Sequence, residues 1–255
     1  MLAKTTAAKN IYFASDFHLG APNAAESRAR ERRILAWLDE VQADMGELFL
    51  VGDIFDFWFE YKTVVPKGFL HFLGKLAELR RAGVEIHLFT GNHDMWLFDY
   101  FTDQLGIAVY RDPIQIERGG KQFFIGHGDG LGPHDKGYKR LRRIFRNRFC
   151  QWLFQWLHPD LGTGLASYLS RRSRAAQGVE EHFLGAENEW LYLYANRKLK
   201  QLPDTDYFVF GHRHLPLDMI LENQKSRYVN LGEWFVADSY AVFDGEELYL
   251  RYFRP

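Results

Sequence analysis

Residues 11–18 read Ile-Tyr-Phe-Ala-Ser-Asp-Phe-His, an apolar run that ends in Asp16 and His18. Runs this short, rich in aromatic and β-branched residues, are the signature of a buried strand. The pattern recurs four times. Residues 48–51 lead into Gly52 and Asp53, and residues 86–89 into Gly91, Asn92, His93 and Asp94. Residues 123–125 lead into His127, Gly128 and Asp129, and residues 207–210 into Gly211, His212, Arg213 and His214. In open α/β sheets, ligands gather beyond the carboxyl ends of strands, so the five runs deliver their polar clusters to one rim.

Any one of these clusters could be an ordinary hydrogen-bonded turn. Together they hold five of the ten histidines, with carboxylates and an Asn carbonyl beside them. That donor chemistry suits borderline-hard divalent ions such as Mn²⁺, Fe²⁺ or Zn²⁺. Two such ions about 3.5–4 Å apart clamp a phosphate and activate a water, so the expected chemistry is hydrolysis of a phosphate ester or phosphoanhydride.

Between the first two clusters, residues 24–42 place Ile34, Leu35, Leu38 and Val41 at helical spacing, which gives a strand–helix–strand unit and a parallel sheet. The same periodicity predicts helices over 69–81 and, directly after Asp94, over about 95–105, with Asp94 a candidate N-cap. After His214 the pattern changes to short strands near 226–230, 239–243 and 247–253, with a hairpin turn at Asp244-Gly245. The expectation is a single domain over residues 1–255 with two packed sheets flanked by helices.

With 255 residues, 47% of them apolar and 25% charged, the composition excludes disorder. Cys150 is the single cysteine, so an intramolecular disulfide is impossible, and it reads as a small packing residue of a cytosolic protein. Neither a secretory signal nor an apolar run of spanning length is visible.

A net charge of −1 conceals an asymmetry. Between Lys136 and Arg174 stand ten basic residues and Asp160 alone, against 22 basic and 32 acidic residues elsewhere. These fall in a helical insertion over residues 137–200 that interrupts the strand series. Its first helix carries Tyr138, Leu141, Ile144, Phe145, Phe149, Trp152, Leu153, Trp156 and Leu157 at spacings of three and four, with Lys139, Arg142, Arg143 and Arg146 on another sector. Further helices are expected around 161–169 and from about 179 to 199. Such an insertion is either a cap whose aromatics form its own core or a lid that binds acyl chains and meets an anionic membrane surface.

The motifs D-x-H, GD-x-x-D, GNHD, a later His and GH-x-H, in that order across residues 16–214, resemble those of the calcineurin-like metallophosphoesterases. The resemblance implies a four-layer α/β/β/α sandwich. It implies two divalent metal ions, Mn²⁺ above Fe²⁺ or Zn²⁺, with Asp16, His18, Asp53 and His214 as ligands of one and Asp53, Asn92, His127 and His212 as ligands of the other. By the same resemblance His93, paired with Asp56, is catalytic. Within that superfamily the opening SDFHLG, the stretch from HGDG to Asp135 and Tyr138, and the basic aromatic insertion are similar to the UDP-2,3-diacylglucosamine hydrolases of lipid A synthesis. That family implies cleavage of a lipid-linked nucleotide pyrophosphate, at the cytoplasmic face of the inner membrane, by a peripheral enzyme. Asn92, Asp135, Tyr138, Arg171, Arg172, Ser173 and Arg174 are its candidate substrate contacts. One departure is His93, where the well-known branch carries Arg.

Three other readings compete. A soluble phosphodiesterase or phosphatase would be indifferent to acyl chains. A nuclease would use the basic segment on a phosphate backbone, but its interleaved aromatics favour lipid over nucleic acid, although aromatics also stack bases. A non-catalytic scaffold would have no need of the complete donor set.

Overall fold

A computed structural model describes residues 9–132, 136–166, 168 and 182–254. Asp135, Arg171, Arg172, Ser173 and Arg174 lie outside the described residues, as does the side chain of Tyr138.

The first sheet is built from β1 (Asn10–Ala14), β2 (Met45–Val51), β3 (Glu85–Phe89) and β4 (Ala108–Tyr110), all parallel, with β10 (Ser239–Phe243) antiparallel beside β1 and β11 (Leu248–Tyr252) antiparallel beside β10. The second sheet runs β5 (Ile114–Arg118), β6 (Lys121–Ile125), β7 (Tyr207–Phe210), β9 (Arg227–Leu231), β8 (Pro216–Ile220), with β6, β7 and β9 parallel. The inner faces meet in an apolar layer that includes Phe13, Phe49, Phe89, Phe123, Ile125, Val209 and Val229. On the outer face of the first sheet, α1 (Ala24–Val41), α2 (Leu70–Arg81) and α3 (Tyr100–Leu105) bury Ile34, Trp37, Leu38, Phe72, Leu76 and Phe101. On the outer face of the second, α7 (Trp190–Leu199) buries Leu191, Ala195 and Leu199 against Phe124, Phe208 and Phe210. Helices, sheet, sheet and helix form the four layers expected.

Three local expectations change. No helix begins after Asp94; α3 starts only at Tyr100. The carboxylate of Glu60 accepts the amides of Asp99 and Tyr100 at 2.8 and 3.0 Å and so caps α3 from another segment. The long basic helix is two helices, α4 (Lys136–Phe145) and α5 (Arg148–Gln155), broken where the Asn147 side chain caps Phe149 and Cys150. A further helical stretch, α6, covers 159–166, and α7 begins at Trp190 behind the N-cap Glu189.

The aromatics of α4 and α5 divide in two. Phe145 and Phe154 pack on Trp96, and Phe154 also on Phe57 and Phe59, which docks the pair onto the core. Phe149, Trp152 and Trp156 instead stand 64%, 50% and 75% exposed in a continuous ladder of rings.

Arg30 lies on the buried stripe of α1 and donates to the carbonyls of Phe17, His18 and Ala21 at 2.5–2.6 Å, tying the helix to the loop after β1. Replacing it with Met orphans three buried acceptors, so Arg30→Met should lower unfolding free energy by roughly 3 kcal/mol. Urea titration checks this through a lower midpoint at an unchanged m-value.

Candidate metal centre

All five clusters converge at the rim where β1, β2, β3, β6 and β7 end. The loops keep their neighbours in register past the strands: Asp16 and His18 donate backbone N–H to Gly52 and Asp53, and Gly211 donates to His127. Five residues here, Asp16, His18, Asp53, His212 and His214, have φ between 42° and 68°. A left-handed backbone on five side-chain-bearing residues gathers strain at one site, held in place by the packing around it. Glycines make the approach possible. A Cβ on Gly91 would collide with the Asp53 carboxylate, and one on Gly52 would stand 2.6 Å from the His127 ring.

The ligand atoms form two groups. Asp16, His18 and His214 bring theirs within 4.8 Å of one another, as do Asp53, His127 and His212. Asp16 Oδ1, fully buried and receiving no hydrogen bond, faces His214 Nε2 at 3.2 Å and His18 Nε2 at 3.7 Å. Its Oδ2 accepts the amide of His212. Asp53 Oδ2 lies 3.8 Å from His18 Nε2 in the first group and 3.3 Å from His127 Nε2 in the second, while Oδ1 accepts the His93 amide at 2.8 Å. One carboxylate oxygen therefore faces both groups. Asn92 Oδ1 joins the second group 3.3 Å from His127 Nε2. His127 Nδ1 lies 2.9 Å from the Val51 carbonyl; donation there leaves the Nε2 lone pair directed at the site.

Electrostatics agree with a cation site. Burial opposes ionisation of Asp16 and Asp53, yet the surrounding imidazoles overcome it and hold both carboxyls below their usual range. Burial also opposes protonation of His127, and the Asp53 charge outweighs it, raising the ring well above the ordinary histidine value, so a metal ion at Nε2 would take the place of a proton there. Buried carboxylates, imidazoles and an amide oxygen with lone pairs converging, and no thiolate among them, fit divalent ions.

His93 Nδ1 stands 3.5 Å from Asp56 Oδ1 and 3.2 Å from its carbonyl, and the His18 ring abuts it at 4.8 Å between centroids. Burial lowers His93 to about 4, with Asp53 opposing, so neutral imidazole prevails there at neutral pH. Asp94, the candidate N-cap, instead accepts the amides of Gly91, Asp53, Ile54 and Phe55 at 2.7–3.3 Å. It staples the loop after β3 to the loop after β2, and burial followed by the charge of Asp53 raises it to about 7. Asp129 contacts Arg142 Nε at 3.4 Å and so ties the loop after β6 to α4.

Sequence reading missed three supporting groups. Arg30 could have been found as a charge on the apolar stripe of α1. Phe235, whose ring lies 5.4 Å from that of His18, is held on a loop whose amides at 235–237 bind the Glu233 carboxylate. Buried Glu189 pairs with Arg213 at 3.2 Å, between His212 and His214. Neither of these two carried a local signal.

The calcineurin-like phosphoesterase family matches residues 9–216, and the chain belongs to it. It is similar to a UDP-2,3-diacylglucosamine hydrolase of Porphyromonas gingivalis, with 42% identity over 94% of this chain and 96% of that one. Enzymes of the same name from Aeromonas salmonicida and Pseudomonas putida F1 are each 28% identical, over 90% and 88% of this chain and 88% and 90% of theirs.

Since one oxygen of Asp53 faces both groups, Asp53→Asn should reduce turnover by orders of magnitude and leave fewer than two metals per chain. Asp129→Asn should keep both. Metal content by mass spectrometry of the purified variants, beside turnover, distinguishes the two.

Proposed function

We propose that the chain hydrolyses the pyrophosphate of UDP-2,3-diacylglucosamine to UMP and 2,3-diacylglucosamine 1-phosphate. The observation that carries this reading is the pair of donor groups sharing Asp53, set beside an exposed aromatic helix in a chain 42% identical to an enzyme of that name. In this reading Asp16, His18, Asp53 and His214 hold one divalent ion and Asp53, Asn92, His127 and His212 the other, with Mn²⁺ the first choice and Fe²⁺ or Zn²⁺ alternatives. Bound there, the ions supply Lewis acidity and a water of lowered pKa.

The protein's own part is positioning. Asp94 and Arg30 fix the two loops that carry Asp53 and His18. Asp56 orients His93 toward the donor groups, and a phosphoryl group brought beside the ring would favour its protonated form, whose second N–H can donate to a phosphoryl oxygen as negative charge grows. The insertion over 137–200 acts as a lid through α4 to α6, whose exposed rings take the acyl chains. Asp135, Tyr138, Arg171, Arg172, Ser173 and Arg174 complete the contacts with the head group. No helix among the described residues is long and apolar enough to cross a membrane. The basic face of α4 beside the rings of α5 supports peripheral contact with an anionic membrane surface, on the cytoplasmic side where a nucleotide-linked substrate is made.

His93→Gln should retain both metals and slow turnover about 10²–10⁴-fold, the range for loss of a positioned acid or base. Turnover at saturating substrate, with metal content measured in parallel, checks it. Acyl methylenes contribute about 0.8 kcal/mol each on burial, so chain recognition should dominate specificity. UDP-2,3-diacylglucosamine should be cleaved at least about 10²-fold more efficiently than UDP-N-acetylglucosamine, and Trp152→Ala or Trp156→Ala should narrow the gap. Phosphorus NMR of the products should show UMP and a sugar 1-phosphate. Equal efficiency on both substrates would leave a metal phosphodiesterase and remove the lipid assignment.

A further inference from the structure

The histidines of the two donor groups are supported differently. In the second group His127 Nδ1 lies 2.9 Å from the Val51 carbonyl, and the His212 ring rests against Trp190 at 5.8 Å between centroids. A ligand histidine is ordinarily oriented in the first of these ways, through the nitrogen turned away from the cation. In the first group neither histidine has that support. His18 and His214 both turn Nε2 toward Asp16 Oδ1. His18 Nδ1 is buried without a hydrogen-bond partner, 3.8 Å from Asp56 Oδ1, and His214 Nδ1 makes no hydrogen bond among the described residues.

Phe235 flanks both rings. Its centroid lies 5.4 Å from that of His18, at an interplanar angle of 33°, and 6.4 Å from that of His214, at 43°. The guanidinium carbon of Arg30 stands 4.1 Å from the centre of the same ring, and Arg30 also holds the His18 carbonyl. The terminal torsion of a histidine is broad, so a ring with no hydrogen bond at its outer nitrogen swings unless packing stops it.

Phe235 is itself fixed. The Glu233 carboxylate accepts the amides of Phe235, Val236 and Ala237. Arg33 donates to the Trp234 carbonyl at 2.8 Å and to the Asp238 carboxylate at 2.9 and 3.1 Å. Fully buried Trp234 donates its backbone N–H to the Asp16 carbonyl at 3.3 Å. Val236 next to it stands 83% exposed, so polar clamps rather than burial hold this tip in place.

We infer that Phe235 is a positioning residue for the metal centre: its ring keeps the imidazoles of His18 and His214 in the planes that direct Nε2 at one ion, as the Val51 carbonyl does for His127. The inference rests on the reading that Asp16, His18, Asp53 and His214 hold that ion. Loss of the ring weakens the hold on that ion and spares the one at His127 and His212.

Titration of the chelator-treated full chain with Mn²⁺, followed by calorimetry and electron paramagnetic resonance, tests it. The wild-type chain should take up two ions, with the spin coupling of a neighbouring pair at full load. Phe235→Ala should weaken one binding step about 10–100-fold, the range for loss of a contact that orients a ligand histidine, and leave the other step unchanged. Its spectrum should stay uncoupled until Mn²⁺ is raised, and turnover should recover over the same range. Phe235→Tyr should keep both steps. Phe235→Leu, which fills the space without a flat face, should fall between and carries the test if the Ala variant does not fold. In a His214→Ala background, Phe235→Ala should leave the affinity for the remaining ion unchanged. A wild-type chain that binds no Mn²⁺ would remove the metal centre and the inference with it. Two ions held by Phe235→Ala and Phe235→Leu as tightly as by the wild type would overturn the role of Phe235 and leave the centre intact. Equal weakening of both steps would also overturn it, since Phe235 would then support the rim as a whole rather than two ligands.

Discussion

A carboxylate held almost entirely out of water at Asp53 is the constraint around which the rim is arranged. An isolated charge in such a place costs more than a domain can spare, so the surroundings must supply its partners. The amide of His93 serves one oxygen; His18 and His127 face the other. Each partner then needs its own support. His127 is anchored on Val51, the His93 loop is stapled by Asp94, and the loop carrying His18 is held by Arg30. Left-handed backbone at five of these positions is the conformational cost of bringing so many polar groups to one place, and it persists because every loop is fixed from two sides.

Much of this was legible because the strands that carry the site are short apolar runs ending abruptly in polar residues. The strands before the five clusters stand within a few residues of where the runs placed them. Edge elements were not visible. Ala108–Tyr110 is three residues long and pairs only with β3, and Ile114–Arg118 is half-buried at the border of its sheet, so neither shows a strong pattern. The missing helix after Asp94 has a different cause. An Asp that caps a helix and an Asp that staples two loops use the same oxygens on the same kind of donor, and the deciding partners at 53–55 lie about forty residues away. The cap of α3 comes likewise from Glu60, distant in sequence.

Charge segregation follows the same division between rim and insertion. Acidic side chains that accompany the donor groups are buried and matched by imidazoles, whereas the basic residues of α4 remain near solvent. Asp129 and Arg142 connect the two regions directly. The position of α4 is therefore set in part by the loop that carries His127, and the docking of Phe145 and Phe154 on Trp96 fixes the rest.

The donors come from both sheets. Asp16, His18, Asp53 and Asn92 follow strands of the first, and His127, His212 and His214 follow strands of the second. A cation held by both sets is a rivet between two slabs that otherwise adhere through side chains such as Phe13 and Phe123, whose rings stack at 5.9 Å. Thermodynamic linkage makes this reciprocal: whatever binds only when the slabs are aligned favours their alignment, and whatever lets them slip weakens the binding. Substitutions deep between the sheets, remote from any polar group, thus act as affinity variants for the ions at the rim.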